Sequence, residues 1–221
     1  MINSNYTDFL NVGHLNINSI RNKLSDVMDI IVTYELDIFC ICETKLEEKS
    51  DLNCNLDLPG YALFRKDRNK FGGGIIIYVK EYLTSCFYDS SDLKFCESLF
   101  LSIKIENTEE IIVGEIYKPP SQNTGNFLDS FSSFLETVPS SKHTVICGDF
   151  NLDFLSSSHN CHVYKDILLS NNMRQIIDKP TRESLFSSSL IDHIIIGHHT
   201  TNASSQVHNF SNSDHHLLTM S

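Results

Sequence analysis

Apolar residues along this chain recur at two different spacings, and each spacing predicts its own kind of element. Val12 to Leu15 reads as a short strand, and Ile38 to Cys42 is a continuous apolar run, as expected of a strand covered on both faces. Between them Ile20, Leu24, Val27, Met28 and Ile31 fall at helical spacing, which predicts an amphipathic helix from Ser19 to about Glu35 with Ser19 as its cap. Strand, helix and strand in that order imply a crossover unit. The middle of the chain differs. Tyr61 to Arg65, Gly74 to Val79, Leu99 to Ile105 and Ile111 to Tyr117 are strand-like runs with short polar connections, read as a meander or hairpins. Lys118-Pro119-Pro120 ends the last of them. Phe127, Phe131, Phe134 and Leu135 then mark a helix, Thr144 to Asp149 a strand, and Tyr164, Ile167 and Leu168 a further short helix. Ser184 to Ser189 reads as a serine-rich loop, Ile191 to Ile196 as a strand, and Leu217-Leu218 as the apolar start of a final strand. The order of elements is that of an α/β protein.

Composition narrows this reading. The 221 residues suffice for one sizeable domain or at most two small ones. No glycine- or proline-rich linker separates two halves, so a single domain over residues 1–221 is expected. The chain stops shortly after its last strand begins and reads as a domain cut from a longer polypeptide, its C-terminal strand truncated. Hydrophobic content of 41% and a mean hydropathy of −0.15 are those of an ordinary soluble globule. No stretch is long enough to span a bilayer, and the N-terminus lacks the pattern of a secretory signal. Seven scattered cysteines read as free thiols in a reducing, intracellular compartment, and the N-x-S/T sequons at Asn5, Asn202 and Asn209 read as accidental. Zinc on Cys40, Cys42 and His198-His199 is disfavoured because no C-x₂-C spacing exists. The net charge of −11 argues against a strong nucleic-acid binder. The nearest basic patch is the short Arg65 to Lys70 loop, so any DNA affinity should be weak and salt-sensitive.

The distribution of acids and amides adds chemistry to this frame. Thr144-Val145-Ile146-Cys147 runs into Gly148-Asp149-Phe150-Asn151, where alternation would put Asp149 and Asn151 on one face of an extended segment. Similar ends occur at Leu15-Asn16-Ile17-Asn18, at Glu43 after the Ile38 to Cys42 run, at Leu190-Ile191-Asp192 and at Ser213-Asp214-His215. Strand ends that offer oxygen ligands and an imidazole predict a site assembled at one rim of a sheet. Taken singly, each has a plainer reading: Glu43 is a solvated acid, Asp149 to Asn151 an Asx turn, Asp214-His215 a surface loop, Tyr117 a core aromatic. Phe71-Gly72-Gly73-Gly74 lacks the helix and Lys-Ser/Thr of a nucleotide loop and reads as a tight turn with close backbone approach.

Those segments, joined by Cys42-Glu43-Thr44-Lys45, Gly72-Gly73-Gly74-Ile75, Tyr117-Lys118-Pro119-Pro120, Pro180-Thr181-Arg182 and Ile191-Asp192-His193, form an ordered set over nearly the whole chain. The set resembles the endonuclease/exonuclease/phosphatase superfamily, and more closely the apurinic-endonuclease-like domain of non-LTR (LINE-type) retrotransposons. The resemblance implies a four-layer α/β/β/α sandwich with two central sheets. It also implies a Mg²⁺- or Mn²⁺-dependent phosphodiesterase that nicks nuclear DNA and leaves a 3′-hydroxyl to prime reverse transcription. A reverse transcriptase in the same parent polypeptide would then be its partner, with no membrane involved. In that reading Glu43 is the first metal ligand, with Asp214 and Asn18 as further contacts. Asp149 activates or orients water, Asn151 and Asn16 fix its geometry, and Asp192 orients His215 on the scissile phosphate. Tyr117 and Thr181 match phosphate contacts, and Ser213 an accessory one. Repair enzymes usually carry Asp where this chain has Asn18, which implies lower metal affinity. The alternatives are a lipid or inositol phosphatase, a DNase-like nuclease, or an inactive domesticated interaction module.

Overall fold

Alternating side chains of the central strands face two different apolar layers, and that alternation sets the architecture. The computed structural model describes residues 10–104, 110–184, 187–197, 200 and 202–221. Its first part runs β1 (Val12–Asn16), α1 (Leu24–Thr33), β2 (Ile38–Cys42), β3 (Tyr61–Lys66), β4 (Ile75–Lys80) and β5 (Thr84–Tyr88). The middle follows with β6 (Glu97–Lys104), β7 (Glu110–Tyr117), α2 (Thr124–Thr137), β8 (His143–Asp149) and α3 (His159–Ser170). Last come β9 (Met173–Gln175), β10 (Arg182–Glu183), β11 (Ser188–Ser189), β12 (Asp192–Gly197), β13 (Ser205–His208) and β14 (Leu217–Met220).

Two six-stranded sheets result, in the orders β13-β14-β1-β2-β4-β3 and β5-β6-β7-β8-β12-β9, with β10 and β11 as a separate small pair. Within the two sheets, β1 with β2 and β7 with β8 run parallel, joined by crossovers through α1 and α2; the other described pairs run antiparallel. Three apolar clusters then define four layers. Val12, Ile38, Cys40, Ile75 and Ile77 of one sheet meet Leu101, Val113, Val145, Cys147 and Ile194 of the other. The intervening residues Leu15, Phe39, Ile41, Ile76 and Tyr78 face Val27, Ile30 and Ile31 of α1. On the opposite side Phe100, Ile112, Ile116, Ile146 and Ile195 pack on Phe127, Phe131 and Phe134 of α2 and Tyr164 and Leu168 of α3. The α/β/β/α sandwich implied by the resemblance is the fold.

Several elements differ from the pattern reading, each for a local reason. The first helix begins at Leu24, and Ser19, at φ 80°, caps nothing. Residues 17–20 instead prolong the β1–β2 pairing, with Ile17, Ser19 and Ile20 amides donating to the carbonyls of Cys42, Glu43 and Thr44. Tertiary pairing overrides helical spacing there. The middle runs are divided between the sheets, β3 and β4 in one, β6 and β7 in the other. Ile105 of the Leu99 to Ile105 run, the Asn5 sequon and His198-His199 lie outside the described residues. Cys40, Cys42, Cys86, Cys96, Cys147 and Cys161 are free thiols. Among the described residues no helix is long and apolar enough to cross a membrane.

Candidate active site

One rim of the sandwich collects the ends of β1, β2, β7 and β8 and the starts of β12 and β14, which run the other way. Register makes the first neighbours: Asp149 stands beside Tyr117 on one side and Asp192 on the other. Parity points all three inward, because Val145 and Cys147 already face the inter-sheet core while Phe150 joins the outer cluster. Asn16, at the end of β1, completes the group from the facing sheet. Gly148 allows this close pairing. A Cβ there would lie 2.0 Å from the Ile116 carbonyl oxygen, so any side chain would force β7 and β8 apart just before Asp149.

Both parallel strand ends then break in the same way. The Asn151 amide nitrogen donates to Asp149 Oδ1 at 2.9 Å, and the Asn18 amide nitrogen donates to Asn16 Oδ1 at 3.1 Å. Asn18 and Asn151 each sit at φ 46°, a left-handed conformation that asparagine tolerates. Asn151 therefore reaches Asp149 through an Asx turn rather than by alternation along an extended strand. Its Nδ2 lies 3.3 Å from Asp149 Oδ2 and 3.0 Å from the Lys118 carbonyl. Glu43 is also left-handed, at φ 52°.

Asn16 is the hub between the two sheets. Its Nδ2 donates to Asp149 Oδ2 at 2.9 Å and to Glu43 Oε1 at 3.2 Å. A second chain runs through Asp192, which accepts from His215 Nδ1 at 2.8 Å and from Thr181 Oγ1 at 2.7 Å. Thr181 Oγ1 in turn accepts from the amides of Ile191 and Asp192. The ring of His215 is thereby fixed, and its Nε2 is left for other work. Asp149, Asp192 and His215 offer ligand atoms that all lie within 4.8 Å of one another, so they are a group able to hold a metal ion.

The electrostatics follow from burial and neighbours. Burial first, then the charge of Asp192, pushes the Asp149 carboxyl up to about 7, against His215 and the donors from Asn151 and Asn16. Burial also opposes ionisation of Asp192, but the His215 charge and the hydrogen bonds from His14 and His215 overcome it and hold that carboxyl well below the usual range. Burial opposes charge on His215 too, yet Asp192 outweighs it and raises the imidazole. Burial, followed by the charge of Glu43 and a hydrogen bond to it, raises the Tyr117 phenol.

The remaining sequence candidates lie around this group. Ser213 Oγ donates to the Asn16 carbonyl at 2.8 Å and accepts from the His215 amide at 3.2 Å. Asp214 is turned away into an ion pair with Arg182 at 2.7 Å, and Asn18 Oδ1 accepts from Lys45 Nζ. Lys45 Nζ also lies 3.9 Å from Glu43 Oε2. The glycine turn braces this corner, since Gly73 and Gly74 carbonyls accept from the Lys45 and Thr44 amides. Sequence reasoning did not single out His14, Glu115, Lys118 or Arg182. For His14 and Glu115 a signal existed: each stands two residues before a rim residue, Asn16 and Tyr117, and so shares its face.

Comparison with known proteins agrees with this fold. The fold is similar to the endonuclease domain of TRAS1, a telomere-specific non-LTR retrotransposon, with a TM-score of 0.77 at 13% identity over 96% of this chain and 97% of that one. It is similar to an AP endonuclease from Archaeoglobus fulgidus, with a TM-score of 0.73 at 18% identity over 96% and 99% of the two chains. The 3′ phosphatase NExo from Neisseria, bound to product DNA hairpin, gives a TM-score of 0.76 at 13% identity over 96% and 99%. No curated protein sequence matches. Residues 13–215, from the strand that carries Asn16 to His215 itself, match one family profile, and the chain belongs to the Endonuclease/Exonuclease/phosphatase family.

Proposed function

We propose that this chain is a divalent-metal-dependent endonuclease that nicks DNA to leave a 3′-hydroxyl. It would serve as the endonuclease segment of a non-LTR retrotransposon polypeptide whose reverse transcriptase extends that end in the nucleus. The observation that carries the reading is the meeting of Asn16, Glu43, Asp149, Asp192 and His215 at one rim, from five separate segments. The Gly-Gly-Gly-Ile, Tyr-Lys-Pro-Pro and Pro-Thr-Arg segments and the likeness to the TRAS1 domain support the retrotransposon branch.

Asp149 takes the proton of the attacking water or orients it. Its carboxyl, raised to about 7, is matched to that task near neutral pH. Asn16 and Asn151 hold the carboxylate, so the water has one fixed acceptor. His215, kept charged by Asp192, faces the scissile phosphate and stabilises negative charge as it develops. Tyr117 borders the same space. Thr181, fully buried with its hydroxyl engaged by Asp192 and two amides, holds Asp192 rather than meeting the phosphate, and Ser213 ties the His215 segment to β1. Glu43, rather than the Asp149, Asp192 and His215 group whose members serve the water and the phosphate, is the proposed metal ligand, in a donor set of carboxylate and amide oxygens that suits Mg²⁺ or Mn²⁺. Asn18 and Asp214 are the further candidates, each already engaged by a cation, Lys45 or Arg182. A hard cation held there supplies charge neutralisation for the phosphorane and the departing 3′-oxygen.

The test is substrate class. Purified protein with Mg²⁺ should convert supercoiled plasmid to the open circle, lose that activity in chelator, and release no phosphate from inositol lipids. Phosphate release from lipid with intact plasmid would replace the nuclease by a phosphatase.

A further inference from the structure

Beneath the rim lies a second polar cluster that the proposed chemistry does not use. His14 on β1 and Glu115 on β7 are fully buried between the sheets, in the apolar layer formed by Val12, Cys40, Val113 and Cys147. His14 Nδ1 lies 3.1 Å from Glu115 Oε2, and His14 Nε2 lies 3.3 Å from Asp192 Oδ1. The hydrogen-bonded chain therefore reads Glu115, His14, Asp192, His215, crossing from one sheet to the other and back to the rim.

The proton count constrains what this chain can be. His14 presents one ring nitrogen to each of two acids. If both nitrogens donate, the ring is an imidazolium between carboxylates. If the ring is neutral, Glu115 must carry the proton and donate to Nδ1. Either way the pair holds two protons, is neutral overall, and turns an N–H towards Asp192. Burial disfavours charge on His14, yet Glu115 and Asp192 outweigh it and raise its pKa, while burial raises the Glu115 carboxyl too, so the pair keeps its protons in either form. Packing alone gives no reason for the pair, because buried ionic groups are commonly no more stabilising than apolar residues of similar volume.

We propose that His14 and Glu115 are positioning residues that fix Asp192, and through it the ring orientation of His215. Asp192 is then held on every side: His215 and Thr181 from the rim, His14 from below. Without the N–H from below, one carboxylate oxygen loses a buried donor and the group can tilt. His215 would tilt with it. The residues act through Asp192 and touch no substrate, and their effect on turnover rests on the nuclease reading given above.

Two readouts test this independently. The first is the far-downfield imidazole N–H proton resonance of His215, seen by NMR in the metal-free protein. The second is kcat and KM for plasmid nicking with Mg²⁺. The apolar double variant His14→Leu/Glu115→Leu should fold, shift or lose the resonance, and lower kcat by about 10- to 100-fold with KM little changed. Glu115→Gln, whose amide can donate to Nδ1, should keep the resonance and most of kcat. If the double variant does not fold, His14→Phe is read by the same resonance. A folded variant with unaltered resonance and unaltered kcat overturns the proposal. Should wild-type protein nick nothing, the nuclease reading fails and the resonance alone decides the positioning role.

Discussion

At the level of single residues, the proposed chemistry requires His215 and Asp192, which are hydrogen-bonded at 2.8 Å, to work as one unit. The imidazole is worth most as a cation aimed by a carboxylate, and Asp192 is worth most with that ring on it. Replacing His215 by Ala or Asp192 by Asn should each slow nicking by about 10²- to 10⁴-fold. The double variant should be scarcely slower than the worse single one, because a disabled pair cannot be disabled twice. Single-turnover rates check this, and losses that multiply would show the two acting separately. The rim positions were legible because short polar residues interrupt apolar runs at Asn16, Glu43, Asp149 and Asp192. The parity that puts His14 and Glu115 on the face of Asn16 and Tyr117 was there to be read, but a histidine or glutamate inside an apolar run does not name a partner 101 residues away. The Asp214 pairing with Arg182 was hidden for the same reason.

Among the elements, the central strands and the β3 edge were legible, and the other edges were not. β2, β4 and β8 are almost wholly buried, so their apolar runs are long and unbroken. β5 is a largely exposed and β13 a mostly half-buried edge strand, both of mixed composition, and nothing in their sequence separates them from loops. The contact between α3 and β12 carries a pH signature. His193 packs against the Phe150 and Tyr164 rings, accepts from the Tyr164 hydroxyl at 2.9 Å and donates to the Leu190 carbonyl at 3.2 Å. Burial pushes its imidazole down to about 4 from an ordinary 6.5. Between those values the unfolded chain binds a proton that the folded chain refuses. The stability this residue contributes is therefore complete above pH 6.5 and is lost as pH falls towards 4. Asp149, with its raised carboxyl, works in the opposite sense over the same range, so the comparison must be made between variants. The stability difference between wild type and Tyr164→Phe/His193→Phe should shift against wild type by up to about 1.4 kcal/mol per pH unit on acidification. Urea unfolding at several pH values measures it, and a pH-independent difference would mean that His193 titrates normally.

For the whole molecule, four layers serve to bring two sheets face to face so that their rims share one site. The net charge of −11, to which the rim carboxylates add only a few units, repels a polyanion. The proposed DNA binding must then depend on few local cations. Arg65 and Lys66 end β3 rather than opening a loop. Lys45 stands at the rim, and the loop of residues 67–70 is held beside it by Arg68, which pairs with Glu97 at 2.7 Å and lies over the Tyr117 ring. Affinity for plasmid should fall steeply with salt, and Lys70→Ala should flatten the log–log slope by about one if that lysine meets a phosphate. An unchanged slope would remove the loop from the interface. The claim on which all else depends is that Asp149, with partners drawn from distant segments, acts on a phosphodiester at this rim. It is tested most directly by Mg²⁺-dependent nicking of supercoiled plasmid by wild type and Asp149→Ala, matched for folding by circular dichroism and scored for polymerase extension from the nick. Wild type should give extendable open circles and Asp149→Ala should be at least about 100-fold slower. Equal rates for the two proteins, or nicks that no polymerase extends, would contradict it.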